Sequence, residues 1–171
     1  VDGDVLADVT LVASRPAVVF NEIDYDDGGQ GGHNELVEIY NARDVAVDLT
    51  GWQVLQVDAA GVAWAVPLDG VLQPSAFYTL RTEGSGDAQL HGDGIPSTGG
   101  VLALVSPFFV ADVFRLASGP DVVNLGEPWG FIASAQGAPP PVDNAADWSI
   151  ARMVDGQETA VDDVDWMVTT Q

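Results

Sequence analysis

The chain has 171 residues, 26 of them acidic and 5 basic, which gives a formal charge of −21 at neutral pH. That balance excludes a nucleic-acid binder, because phosphate contacts need a basic patch and the basic residues are five scattered arginines (Arg15, Arg43, Arg81, Arg115, Arg152). A hydrophobic share of 47% excludes a disordered acidic tail, and the lack of cysteine excludes disulfides, thiolate metal sites and cysteine nucleophiles.

The length suits one domain with a real core. No apolar run approaches the ~18 residues of a membrane helix, so no membrane insertion is expected. The sequence opens at Val1 without an initiator Met or a signal peptide, and reads as a mature chain or an excised domain. A charge this large keeps a protein in solution but strains its compact state unless salt or bound cations screen it. Because the acids are spread along the whole chain, adaptation to high salt accounts for most of them. Local calcium binding by clustered aspartates is compatible with that.

Residues 1–15 alternate, with Val5, Ala7, Val9 and Leu11 on one face and Asp4, Asp8 and Thr10 on the other, so an extra strand or extended lead-in is expected there. After Pro16, Ala17–Ile23 reads as the first core strand and Asn34–Tyr40 as the second. Within the second, Glu38 sits between Ile39 and Val37. Burying it unpaired is costly, so it needs an edge or a partner, and an arginine is the first partner to expect. Val45–Val57 reads as a strand pair or bent strand, interrupted at Gly51 by a bulge or bend. Trp52 behind it reads as core.

Val62–Pro67 and Ser75–Arg81 follow as strands, and 82–100 as a long polar, glycine-rich loop. Val101–Val105 and Phe109–Leu116 are strands, the second carrying Asp112 among apolar neighbours. Segment 117–146 is poorly patterned and proline-rich, an extended loop with one strand near Trp129–Ala133. Asp147–Val168 closes the chain. No amphipathic helix and no fixed repeat is evident.

Several short motifs carry a family resemblance. They are Asn21-Glu22, Asp24 and Glu35-Leu36-Val37-Glu38-Ile39-Tyr40-Asn41, then Val47-Asp48-Leu49-Thr50-Gly51-Trp52, then Leu72, Pro74 and Phe77. The closing set is Ser149-Ile150-Ala151-Arg152, Asp155-Gly156 and Asp165-Trp166. Together they resemble the lamin-tail domain, a family that runs from nuclear lamins to secreted or surface-anchored bacterial proteins. The resemblance implies an all-β, immunoglobulin-like β-sandwich of about eight to ten short strands. Residues 1–15 would be an N-terminal extension or extra strand and 16–171 the sandwich. It also implies an extracellular or cell-surface location and a protein or cell-surface component as partner. The association of nuclear lamin tails with DNA does not carry over, given the charge.

One stretch has specific chemistry. From Asp24, DYDDGGQGGHNE places Asp at positions 1 and 3, Gly at 6 and Glu at 12 of a calcium loop of EF-hand type. Short carboxylates in the turn, a glycine for the bend and a later bidentate Glu suit calcium. Asp24, Asp26, Asp27 and Glu35 are therefore the candidate ligands. Against this, position 5 is Gly28 and strands flank the loop, so a hydrated hairpin loop is the plainer reading. Asp162, Asp163 and Asp165, after Asp155 and Glu158, form a second acidic cluster that reads as an exposed connection.

His33 and His91 do not complete a three-ligand zinc site by themselves, and no G-x-S-x-G elbow is present. No catalytic residue is assigned. Trp64 and Trp129 are the indoles whose exposure would allow sugar stacking. The reading is a non-catalytic structural or interaction module, salt-adapted, with two alternatives: a calcium-dependent adhesion or carbohydrate-binding module, and a hydrolase or its accessory domain.

Overall fold

The computed structural model describes residues 18–25, 35–58, 61–90, 95, 100–116, 119–120, 122–133, 148–157, 159 and 165–170. The expected N-terminal strand, Asp26, Asp27, both histidines, Glu158, Asp162 and Asp163 lie outside the described residues.

The elements are strands: β1 (Val18–Asp24), β2 (Leu36–Asn41), β3 (Val47–Asp48), β4 (Gln53–Asp58), β5 (Gly61–Pro67), β6 (Val71–Leu72) and β7 (Phe77–Arg81). They continue as β8 (Ala88–Gln89), β9 (Val101–Val105), β10 (Val110–Arg115), β11 (Val122–Asn124), β12 (Phe131–Ala133), β13 (Trp148–Arg152) and β14 (Trp166–Thr170). Among the described residues no helix is long and apolar enough to cross a membrane. One sheet has the order β14-β13-β1-β2-β7-β8 and the other β10-β9-β4-β5, while β11-β12 and β3-β6 form two-stranded ribbons. The result is an immunoglobulin-like β-sandwich. It has more strands than the sequence suggests because several pairs are only two or three residues long, too short for an alternation to show.

The main core lies between the two larger sheets. Val18, Phe20 and Ile23 of β1, Val37 and Ile39 of β2, Val54 of β4, Leu102 and Leu104 of β9, Phe114 of β10 and Trp166 of β14 all point into it. Period-two alternation therefore sends the intervening residues outward. On the four-stranded sheet those residues are apolar as well. Leu55, Val57, Val101, Ala103, Val105 and Val113 form a second core with Val123 and Leu125. The β11–β12 ribbon covers this outer face with Val123 and Ile132, whose register is opposed. The described part of segment 117–146, which was expected as a loop with one strand, thus supplies a lid to the sheet through residues 122–133. Every residue of β9 is buried as a consequence.

Trp52 is buried, as expected, with its ring edge-on to Phe109 at 5.8 Å. Gly51 ahead of it has φ +80, and a Cβ there would fall 2.9 Å from Pro107 Cγ. Both demands exclude other residues from the β3–β4 turn.

The strands β1 and β10 are joined at the side of the sandwich. β1 shifts register between Phe20 and Glu22, and β10 between Val110 and Asp112. These two bulges face each other, and they build the feature described next.

Candidate functional site

Phe20 sits at the β1 bulge, where its amide and carbonyl turn away from the ladder. The amide donates to Asp112 Oδ2 at 2.8 Å, and the carbonyl accepts from Arg152 Nε at 2.5 Å. Arg152 Nη2 donates to the same Asp112 oxygen at 2.8 Å, and Val113 N donates to Asp112 Oδ1 at 2.8 Å. Arg152 Nη1 donates to the Gln157 carbonyl and lies 3.6 Å from Asp165 Oδ2. Asp165 in turn accepts from the amide and hydroxyl of Thr159, both at 2.8 Å. The guanidinium also lies over the Trp166 ring, 4.5 Å from its centroid. The side chains of Arg152, Asp112 and Asp165 are each only 1% exposed.

Among the described residues this is one cation between two carboxylates, closed over by an indole. Its planar fork lets one side chain reach two backbone carbonyls and two acids, which a lysine could not do. It ties β1, β10, β13 and the 153–165 connection together. The sequence displays Arg152 and Asp165 as parts of a motif and Asp112 as an acid among apolar residues. It does not display that they meet, because 40 residues separate Asp112 from Arg152.

A second polar group occupies the outer face of the six-stranded sheet. Glu22 and Glu38 lie directly opposite each other on β1 and β2. Asn21 Nδ2 donates to Glu38 Oε1 at 2.9 Å and to Asp155 Oδ1 at 3.3 Å, and Gly156 N donates to Asn21 Oδ1 at 3.2 Å. Ser149 Oγ donates to Glu22 Oε1 at 2.5 Å. The partner of Glu38 is thus Asn21, where an arginine was expected, and β2 is an interior strand, so no edge relieves it. Burial raises the Glu38 pKa above its ordinary 4.5; the Asn21 bond opposes this, Glu22 and Asp155 add to it, and Arg81 offsets it weakly.

Beside this group, Gly156 has φ +69 and packs so tightly on Tyr40 that a Cβ would fall 2.6 Å from the ring. A cleft of about 310 Å³ opens here, lined by Tyr40, Arg43, Val154, Asp155 and Gln157 among others. Asn41, at the end of β2, is fully buried. Its Nδ2 donates to the carbonyls of Val45 (2.9 Å), Leu72 (3.0 Å) and Gln73 (3.1 Å), and its Oδ1 accepts from Arg43 N.

Of the four expected calcium ligands, Asp24 and Glu35 are described, and both are buried. Ile23 and Val37 pair across the strands and face the main core, so the paired Asp24 and Leu36 lie on the opposite face of the sheet, where both are still buried, and Glu35 on the core side. The Glu35 carboxylate accepts from the Ile95 amide, while its own amide donates to Thr82 Oγ1 at 3.0 Å. Glu35 thereby fastens the long glycine-rich loop to β2. Among the described residues no group of three Asp, Glu or His is placed to hold a metal ion.

Trp64 is half-buried against the main core. Trp129 is half-buried against the second core, and its Nε1 donates to the Ser106 carbonyl at 2.8 Å. Neither presents a fully open indole face. The most exposed aromatic among the described residues is Phe108, at the β9–β10 turn.

The family model described as Lamin Tail Domain matches residues 12–167. No curated protein matches the chain.

Proposed function

The chain belongs to the lamin tail domain family, a family of non-enzymatic, immunoglobulin-like domains, and from that premise we propose that it is a structural or interaction module of a secreted or cell-surface protein working at high salt. The observation that carries this reading is how its motif side chains are used. Asn21, Glu38, Asn41, Arg152 and Asp165 are each engaged with other parts of the same chain. These polar side chains fasten strands and turns to one another. The motif is a scaffold signature.

On this reading Glu35 is a fastening carboxylate, and the partner is a protein or cell-surface component. Nucleic acid is disfavoured further by the burial of Arg152, which leaves even fewer cations for phosphate. The charge of −21 supports work in concentrated salt, where the Debye length falls to roughly 3 Å at 1 M and self-repulsion is screened.

Thermal unfolding across a sodium chloride series tests the salt reading. The melting temperature should climb steadily from about 0.1 M to about 2 M salt as the Debye length contracts. A curve that is flat from dilute buffer upward would refute adaptation to salt.

A further inference from the structure

We propose that the cleft beside Gly156 binds a neutral saccharide, and that this is the contact through which the module holds a cell-surface component. The proposal rests on the reading of the chain as an interaction module. The cleft lies at the end of β2 against the turn that follows β13, with Tyr40 and Arg43 on one side and Val154, Asp155 and Gln157 on the other. Its volume of about 310 Å³ stands at the lower end of small-ligand sites, which run ~300–1,000 Å³. That is room for about one or two sugar rings.

The walls are set before a ligand arrives. Tyr40 is fixed from two directions. The Phe77 ring packs on it at 4.9 Å with a tilt of 45°, and the Gly156 backbone comes so close to its edge that no Cβ fits between them. Across the cleft, Gln157 N closes the turn onto the Val154 carbonyl at 2.9 Å, and the Gln157 carbonyl is held by buried Arg152. Buried Asn21 accepts from Gly156 N and donates to Asp155 Oδ1 at 3.3 Å. The polar network under the sheet thus stiffens the cleft, so little ordering is left to oppose binding.

The polar groups choose the ligand. Arg43 and Asp155 are both exposed. Arg43 takes part in none of the ion pairs found among the described residues, although the chain carries a charge of −21. A guanidinium only donates and an ionised carboxylate only accepts. A ligand that touches both must accept at one point and donate at another, and the hydroxyls around a sugar ring do both. The C–H face of that ring then has Tyr40 and exposed Val154 to pack on. An anion here meets Asp155 and the field of the whole chain, and a cation has to sit beside Arg43. Salt decides against a zwitterion. At 1 M the Debye length is roughly 3 Å, so pairing of exposed charges adds little, while hydrogen bonds and ring packing persist.

The test is amide NMR of the full chain in about 2 M sodium chloride, titrated with cellobiose, maltose or N,N′-diacetylchitobiose, and with sodium acetate and glycine as charged comparators. At least one disaccharide should move the amides of 40–43 and 153–157 to saturation, with Kd on the order of 1 mM for so small a cleft. Acetate and glycine should leave them in place. Lowering the salt to about 0.5 M should change that Kd by less than about twofold. Arg43→Ala and Asp155→Asn should each weaken binding by about tenfold or more, with melting temperatures within about 2 °C of the parent. The proposal is overturned if no disaccharide moves these amides, if both variants bind as the parent does, or if acetate or glycine moves the same amides as strongly. None of these results depends on how melting temperature responds to salt, so failure of this site and failure of the salt-adapted reading are told apart.

Discussion

Replacing Arg152 by alanine is the sharpest test of how this sandwich is held together. The substitution removes the cation shared by Asp112 and Asp165 and the donors to the Phe20 and Gln157 carbonyls. It also leaves Asp112 in a site where its side chain is 1% exposed, held by two backbone amides and deprived of the guanidinium charge. Removing one partner of a buried ion pair costs about 3–5 kcal/mol. Against a domain stability of roughly 5–15 kcal/mol, that is a large share. For a chain of this size each kcal/mol shifts the melting temperature by about 2–4 °C, so Arg152→Ala should melt about 6–20 °C lower. Denaturant titration in high salt, with Asp112→Asn and the double variant alongside, completes the cycle. The double variant should lose less than the sum of the single losses, because neutralising Asp112 removes the stranded charge. A loss below about 1 kcal/mol for Arg152→Ala, or strict additivity, would refute the reasoning.

Three further outcomes follow from the polar contacts. Because burial and neighbouring acids raise the folded-state pKa of Glu38 above 4.5, protonation favours the fold. The parent should therefore gain stability relative to Glu38→Gln as pH falls through that raised pKa toward 4.5, and be no more stable than it at neutral pH; parallel pH curves for the two proteins would contradict this. Asn41→Asp keeps the shape but sets a carboxylate against the Val45, Leu72 and Gln73 carbonyls, which should cost roughly 2–4 kcal/mol in chemical denaturation. Glu35→Gln weakens the tie to Ile95 and should lower the melting temperature equally with calcium and with chelator. A calcium-dependent rise in the parent that Glu35→Gln abolishes would make Glu35 a ligand after all.

The long strands were legible in the sequence because each has an apolar face of period two. β1, β2, β7, β9 and β10 fall where alternation or a short apolar run places them. Trp52 was legible too, since an indole after a tight glycine turn has few places to go. What alternation does not carry is pairing across the sandwich. Glu38 announced its need for a partner, yet Asn21 meets it only because the β1 bulge turns Asn21 to the same face. Asp112 and Arg152 were each visible, but their meeting depends on two bulges coming face to face. In the β11–β12 ribbon the strand expected near Trp129–Ala133 is β12, but β11 and the pairing were hidden for another reason: three residues per strand give no period to read, and the ribbon's apolar side chains answer a need that belongs to a different sheet.

That ribbon has a consequence for the order in which the molecule comes apart. It holds the second core from one side only, while the sheet beneath is gripped by the main core on the other. The ribbon can therefore lift away as a separate step while the sandwich stays closed, and its amides should exchange with solvent hydrogen well before those of β9. The species left behind would present a bare strip of Leu55, Val57, Val101, Ala103 and Val105 to water. In concentrated salt such a strip is adhesive, so the first misstep of this protein under stress should be clumping through its uncovered back, ahead of any loss of the sandwich itself.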